Sequence, residues 1–131
     1  MTARDVVAGF YRALLLDADI PAACALMASD FHLRPTNIIG GNYNADDLGE
    51  VADATARTAS FRPSAERIVE PHPELARHIQ ERCLESFPAR YFDIRSVDVD
   101  DAQQTAHAVT KDGSCGLRRT GNEWRMTWAW A

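Results

Sequence analysis

The feature that most constrains the fold is a change in hydrophobic periodicity at Pro88. Before this proline, apolar residues recur at spacings of three and four, which is typical of helices that bury one side. Beyond it, apolar and polar residues alternate, which is typical of strands. A chain with helices first and a run of strands after them is expected to fold as an α+β domain, with its helices packed on one face of a curved antiparallel sheet.

Four helices are predicted in the first part of the chain, with expected spans of 3–16, about 20–28, 45–59 and 73–87. The second is expected to end at Ser29 and Asp30, before a short strand in "DFHLRP". Side chains that can accept a hydrogen bond from a free backbone N–H precede the first three helices. They are Thr2, which can form a capping box with Asp5, and then Asp19 and Asn44.

Four consecutive strands are predicted after Pro88, in the stretches "RYFDIRSVDVD", "QTAHAVTKDG", "SCGLRRTGN" and "EWRMTWAWA". The turn sequences "DD", "KDG" and "TGN" would connect them as an antiparallel meander. The last strand holds all three tryptophans of the chain. An unbroken period of two would place them on one face with Met126: Trp124, Trp128 and Trp130.

Composition and charge restrict the class of protein. At 131 residues the chain is expected to form one domain, 1–131, with the composition of a soluble globular protein. The net charge is −5 and Lys111 is the only lysine, so we expect no nucleic-acid partner. The sequence contains no uncharged apolar stretch long enough to predict a membrane span. We therefore expect a cytoplasmic protein. The three cysteines are widely spaced and no metal-ligand motif occurs, which predicts no disulfide, no metal site and no cofactor.

The stretch "FYRALLLDADIPAACALMASDF" contains a helix with a central aromatic residue, a short joint, and a second helix. It resembles the opening of the nuclear transport factor 2-like superfamily, and "GGNYNADDLGE" and the C-terminal meander are similar to later parts of that fold. The resemblance covers residues 3–59 and 90–131, whereas the segment at about 61–88 is an atypical helical addition. It implies a cone-shaped domain with an apolar pocket between helices and sheet, and a homodimer formed through the outer sheet face.

The superfamily's catalytic positions can be compared one at a time with this chain. In its ketosteroid isomerases a tyrosine of the first helix donates a hydrogen bond to the oxyanion, and Tyr11 matches that position. The general-base aspartate would fall at Arg34 and Pro35, and the second oxyanion donor near Cys115 and Gly116. Both carboxyl groups are therefore missing, and isomerase-type proton transfer is not expected.

Two other enzyme types of the superfamily give partial matches. Its epoxide hydrolases hold a water with an arginine and an aspartate two residues apart on one strand, and with an aspartate on the last strand. Here Arg95 and Asp98 are three apart, which places them on opposite faces unless a bulge at Ser96 reunites them. Trp130 aligns with the last-strand aspartate, which implies that the tryptophan face is the inner one. Scytalone dehydratase uses histidines and tyrosines, and His107 lies on a predicted strand here.

Seven residues are the candidates for a site. Tyr11, His107 and Asp98 are the catalytic candidates; His32, Trp128, Trp130 and Cys115 are the ligand-binding candidates. Structural interpretations stay open beside these: Tyr11 as a boundary residue reaching water, His107 as a satisfied sheet histidine, His32 as a solvated rim residue.

Two functions stay open as well. The first is a binder or enzyme of the cyclase, dehydratase or isomerase kind, acting on a small, mostly apolar ligand. The second is a non-catalytic interaction or accessory protein whose cavity is filled by its own side chains.

Overall fold

The computed structural model describes residues 1–17, 19–34, 43–56, 93–111 and 113–130, with the side chains of 54–56 excepted. The helical elements are α1 (Ala3–Tyr11), a π-helical turn that continues it (Arg12–Leu16), α2 (Ile20–Ala25) and α3 (Ala45–Ala56). The strands are β1 (Met27–Arg34), β2 (Tyr43–Asn44), β3 (Ile94–Asp100), β4 (Thr105–Thr110), β5 (Gly113–Thr120) and β6 (Glu123–Trp130).

The three described helices begin where their caps were predicted. Thr2 Oγ1 accepts a hydrogen bond from the N–H of Asp5 at 3.2 Å, and the Asp5 carboxylate accepts one from the N–H of Thr2 at 3.0 Å. Asp19 Oδ1 accepts from the N–H of Ala22 at 3.1 Å. At the start of α3, Asn44 Oδ1 accepts from the N–H of Asp47 at 2.9 Å. Each cap satisfies a backbone donor that the helix itself leaves unpaired.

The predicted end of the second helix is wrong. α2 stops at Ala25, and Ser29 and Asp30 lie inside β1, which begins at Met27. The alternation of burial along β1 confirms the predicted faces, because Phe31 and Leu33 are buried while the residues between and after them are exposed. The helix predicted at 73–87 and the atypical segment at 61–88 lie outside the described residues.

The strands form one six-stranded, curved and unclosed sheet with the order β2-β1-β6-β5-β4-β3. β3 to β6 form the predicted antiparallel meander. One pair departs from the purely antiparallel sheet that was expected, because β1 pairs in parallel with β6. These two strands are far apart in the chain, with α3 and four strands between them, and parallel neighbours require such a long connection.

One face of the sheet, called here the inner face, carries the core. Its buried side chains come from four neighbouring strands: Phe31, Leu33, Met126, Ala129, Cys115, Leu117, Ala106 and Ala108. The helices pack on this face, and the ring of Phe10 in α1 lies 5.4 Å from the ring of Phe31. Burial of these apolar side chains is the main contribution to the free energy of folding.

The tryptophans do not share one face, and the sequence expectation is wrong on this point. Gly116 pairs with Trp128 but Leu117 pairs with Met126, so Thr127 is an extra residue in β6. This β-bulge reverses the alternation of side chains along the strand. Trp124 packs against the core before the bulge, whereas Ala129 takes the buried position after it. Trp128 therefore projects from the opposite side of the sheet, the outer face. Trp130 lies at the end of β6, with its Cβ beside Gly113.

Candidate functional site

A single row of paired residues crosses the outer face. In successive strands, Asp98 pairs with His107, His107 with Gly116, Gly116 with Trp128, and Trp128 with His32. Paired residues of neighbouring strands project to the same side, so their side chains are adjacent. Four of the seven candidates from the sequence thus lie in one row.

Trp128 lies over Gly116, in the middle of this row. A Cβ atom at position 116 would stand 2.1 Å from the indole Nε1 and 2.7 Å from Cδ1, so the indole occupies the space above the glycine. The His107 ring contacts the same indole, with ring centres 5.8 Å apart. On the β1 side, the guanidinium carbon of Arg34 lies 4.5 Å from the centre of the Trp128 ring. Glycine inside a strand often marks such a close approach.

Beside the Trp128 ring is an open groove, called here the Trp128 groove, with a volume of about 420 Å³. That volume lies within the range of small-molecule sites, roughly 300–1,000 Å³. The side chains that give it chemical character are Asp98, Asp100, Thr105, His107, Thr127 and Trp128. The groove therefore combines an aromatic wall, an imidazole, two hydroxyls and two carboxylates.

Asp98 and His107, the two titratable candidates in the groove, lie side by side. Asp98 and His107 pair across strands, yet no hydrogen bond joins their side chains. The register of β3 does shift between Ile94 and Ser96, as a bulge near Ser96 would require, and both Arg95 and Asp98 are exposed. A histidine that acts as a base is normally oriented by a hydrogen bond to its second nitrogen, and Asp98 does not provide one to His107. The pair is therefore better suited to contacting a ligand than to taking a proton from it.

Tyr11 and Cys115 lie on the other side of the sheet, away from the groove. Tyr11 is only 2% exposed, and its hydroxyl donates a hydrogen bond to the backbone carbonyl oxygen of Trp130 at 3.0 Å. Burial raises the pKa of the Tyr11 hydroxyl well above its ordinary value, with the Cys115 thiol beside it adding to the rise. Burial also raises the pKa of the Cys115 thiol to about 12. Tyr11 is thus a core residue and does not sit at a boundary with water.

Trp130, the remaining candidate on β6, is 42% exposed at the end of the strand, with its Cβ beside Gly113. Gly116 and Arg34, which hold Trp128 from two sides, were not predicted as site residues. The glycine within a strand pattern was a usable signal for a close contact. The bulge at Thr127 left no mark in the sequence, because the apolar residues of "EWRMTWAW" alternate without interruption.

In the part of the chain that the structure describes, no three side chains of His, Cys, Asp or Glu cluster so that they could hold a metal ion. None of the described helices has the length and apolar character needed to cross a membrane.

Comparisons with known proteins concern the fold. No protein-family model matches the sequence, and no curated protein does. Two crystal structures match over 97% of this chain. One is an NTF2-like protein of unknown function from Pseudomonas putida KT2440, with 15% identity, 80% of its own length covered and a TM-score of 0.50. The other is a ketosteroid isomerase-like protein from Erwinia carotovora atroseptica SCRI1043, with 16% identity, 89% covered and a TM-score of 0.52. The chain therefore has the nuclear transport factor 2-like fold.

Proposed function

We propose that this protein binds a small, mostly apolar molecule in the Trp128 groove on the outer face of its sheet. The observation that carries the proposal is the convergence of three candidate residues, Asp98, His107 and Trp128, on one groove of about 420 Å³. An indole offers a large and rigid apolar surface for stacking, and the surrounding polar groups give a ligand its orientation.

Binding without isomerase chemistry fits the side chains that are present. One fold neighbour is described as ketosteroid isomerase-like, but the resemblance puts Arg34 and Cys115 where that chemistry has carboxylic acids. The raised pKa of Cys115 keeps its thiol protonated at neutral pH, and the thiol is buried. Neither residue can act as a carboxylic acid in proton transfer at neutral pH.

A second candidate function is supported by a separate observation. Trp130 is 42% exposed at the end of β6, while the described helices pack on the inner face and leave the outer face open. An exposed tryptophan beside an open sheet face is typical of a surface that binds another protein. The alternative is thus a non-catalytic interaction protein that pairs with a second copy of itself through the outer face.

Isothermal titration calorimetry with a panel of apolar aromatic compounds tests the first proposal. Trp128→Ala is expected to weaken binding at least tenfold, because the stacking surface is lost. Trp130→Ala is the matched control, since it removes an indole of the same strand that does not line the groove. Binding that survives Trp128→Ala would refute the groove as the site.

Light scattering on the same samples separates the two candidates. If no compound binds and the protein has twice the 14.5 kDa mass of the chain, the pairing function is favoured. Trp130→Ala should then return the protein to 14.5 kDa. A monomer of 14.5 kDa at high concentration would exclude pairing through this face.

A further inference from the structure

The charge of the Trp128 groove has one sign. Among the described residues, its lining includes two carboxylates, Asp98 and Asp100, and no lysine or arginine side chain. Asp98 is exposed on β3, and Asp100 lies at the end of that strand, where its carboxylate also accepts a hydrogen bond from the N–H of Gln103 at 3.1 Å. Carboxylates in an open groove attract a cation and repel an anion before any direct contact forms.

The basic residues nearby are placed outside the groove or already paired. Arg118 stands in the next row of the outer face, in register with Thr105. Its guanidinium donates two hydrogen bonds to the Asp30 carboxylate, at 3.0 and 2.7 Å. This pair raises the pKa of Arg118 and lowers that of Asp30, so both stay charged and their charges offset each other. Arg118 therefore adds little positive potential to the groove.

The aromatic wall of the groove already contacts one cation. Arg34 places its guanidinium 4.5 Å from the centre of the Trp128 ring, within the distance of a cation–π contact. Arg34 is on β1, whereas the groove extends over β5, β4 and β3, on the other side of β6. The indole is thus flanked by a protein cation on one side and by two carboxylates on the other. Indole is the side chain that binds cations best by this contact.

We propose that the Trp128 groove selects an organic cation: a protonated amine on an aromatic or apolar body. The body stacks against Trp128, and the ammonium group lies toward Asp98 and Asp100. This inference rests on the proposed function, because it names the class of ligand for the same groove. It gives the two carboxylates, which a purely apolar ligand would leave unused, a part in recognition.

Three ligands with one ring system and different charges test the proposal by calorimetry at pH 8. Tryptamine is the cation, tryptophol is its neutral counterpart and indole-3-acetate is the anion. Tryptamine is expected to bind roughly five- to tenfold more tightly than tryptophol, and the anion more weakly than either. High salt should reduce the advantage of tryptamine, because the carboxylates are exposed.

Substitutions in and beside the groove separate the contribution of charge to binding from that of stacking. Asp98→Asn and Asp100→Asn should each weaken tryptamine binding about threefold while leaving tryptophol unchanged. Arg34→Gln should strengthen tryptamine binding severalfold, because the competing guanidinium is removed from the ring. If Arg34 were instead the anchor of an anionic ligand, this substitution would weaken indole-3-acetate binding and leave tryptamine unaffected.

The outcomes distinguish this inference from the function on which it rests. Equal binding of tryptophol and tryptamine, or tighter binding of indole-3-acetate, would overturn the cation and leave the groove as a ligand site. No binding of any of the three at millimolar concentration would overturn both proposals.

Discussion

The two faces of the sheet use aromatic side chains in opposite ways. On the inner face Phe10 and Tyr11 are enclosed, and the Tyr11 hydroxyl is bonded to a backbone carbonyl of β6. On the outer face, Trp128 lies half-buried over a glycine. The same strand serves both faces, because Met126 precedes the bulge at Thr127 and Trp128 follows it. One extra residue thus assigns a large aromatic side chain to a surface where it can contact a partner.

The largest expected effect is a difference in the free energy of unfolding between an aromatic truncation in the core and one at an exposed position. Phe10→Ala should lower the free energy of unfolding by about 3–5 kcal/mol, because Phe10 is fully buried and packs on Phe31. Trp130→Ala, a truncation of an exposed aromatic side chain at the end of β6, should lower it by less than about 1 kcal/mol. Urea denaturation measures both.

A large loss of stability in Trp130→Ala would mean that the exposed end of β6 is covered in solution. The cost should then increase with protein concentration, because a second copy would supply the cover. Equal losses in the two variants at low concentration would contradict the division of the sheet into a core face and an open face.

The next effect concerns the contact that forms the groove. Gly116→Ala should lower the free energy of unfolding by about 1–3 kcal/mol, because the new Cβ would stand 2.1 Å from the Trp128 indole. Gly49→Ala is the matched control, since a Cβ there meets nothing within 4 Å and α3 should gain about 0.5–1 kcal/mol. A shift in tryptophan fluorescence should accompany only the first substitution.

A double variant tests whether the loss comes from this clash. In a Trp128→Ala background, Gly116→Ala should cost much less, because the atom it displaces is absent. If the cost were unchanged, strain in β5 itself would be the cause, and the position of the indole over the glycine would be contradicted.

Local chemistry explains which parts of this fold could be predicted from sequence. The caps at Thr2 and Asn44 involve partners three residues away, so a short stretch of sequence contains both members. The meander was predictable because its turns and its period of two are local as well. The parallel pairing of β1 with β6 depends on strands nearly a hundred residues apart, and nothing within either strand specifies it.

The candidate site shows the same division. Residue type alone identifies Asp98, His107 and Trp128 as candidates. Their proximity could not be predicted, because it depends on the register of four strands. The bulge at Thr127 lies between Met126 and Ala129, so Ala129 and not Trp128 takes the next buried position along β6. The alternation of residue types along β6 favours the opposite arrangement. Tertiary packing therefore overrode a local pattern at the position that matters most for the site.

The smallest of the three expected effects concerns the hydrogen bond between the Tyr11 hydroxyl of α1 and the backbone of β6. Tyr11→Phe removes the hydrogen bond to the carbonyl oxygen of Trp130 and should lower the free energy of unfolding by about 1 kcal/mol at neutral pH. The pH dependence gives a second measurement, because burial raises the pKa of Tyr11 above its ordinary value of 10.0. The folded protein keeps a phenolic proton that the unfolded chain releases, so this contribution is complete below pH 10 and is lost as pH rises further.

In Tyr11→Phe the stability should therefore fall less steeply above pH 10 than in the parent protein. Cys24, with its pKa raised to about 11, gives the same fall in both proteins. Cys115 interacts with Tyr11, so both curves are measured in a Cys115→Ala background, where their difference isolates the tyrosine. Parallel curves would mean that the hydroxyl is open to water in solution. Tyr11 would then again be a candidate for a pocket group, and the contrast between a closed inner face and an open outer face would fail at its best-defined contact.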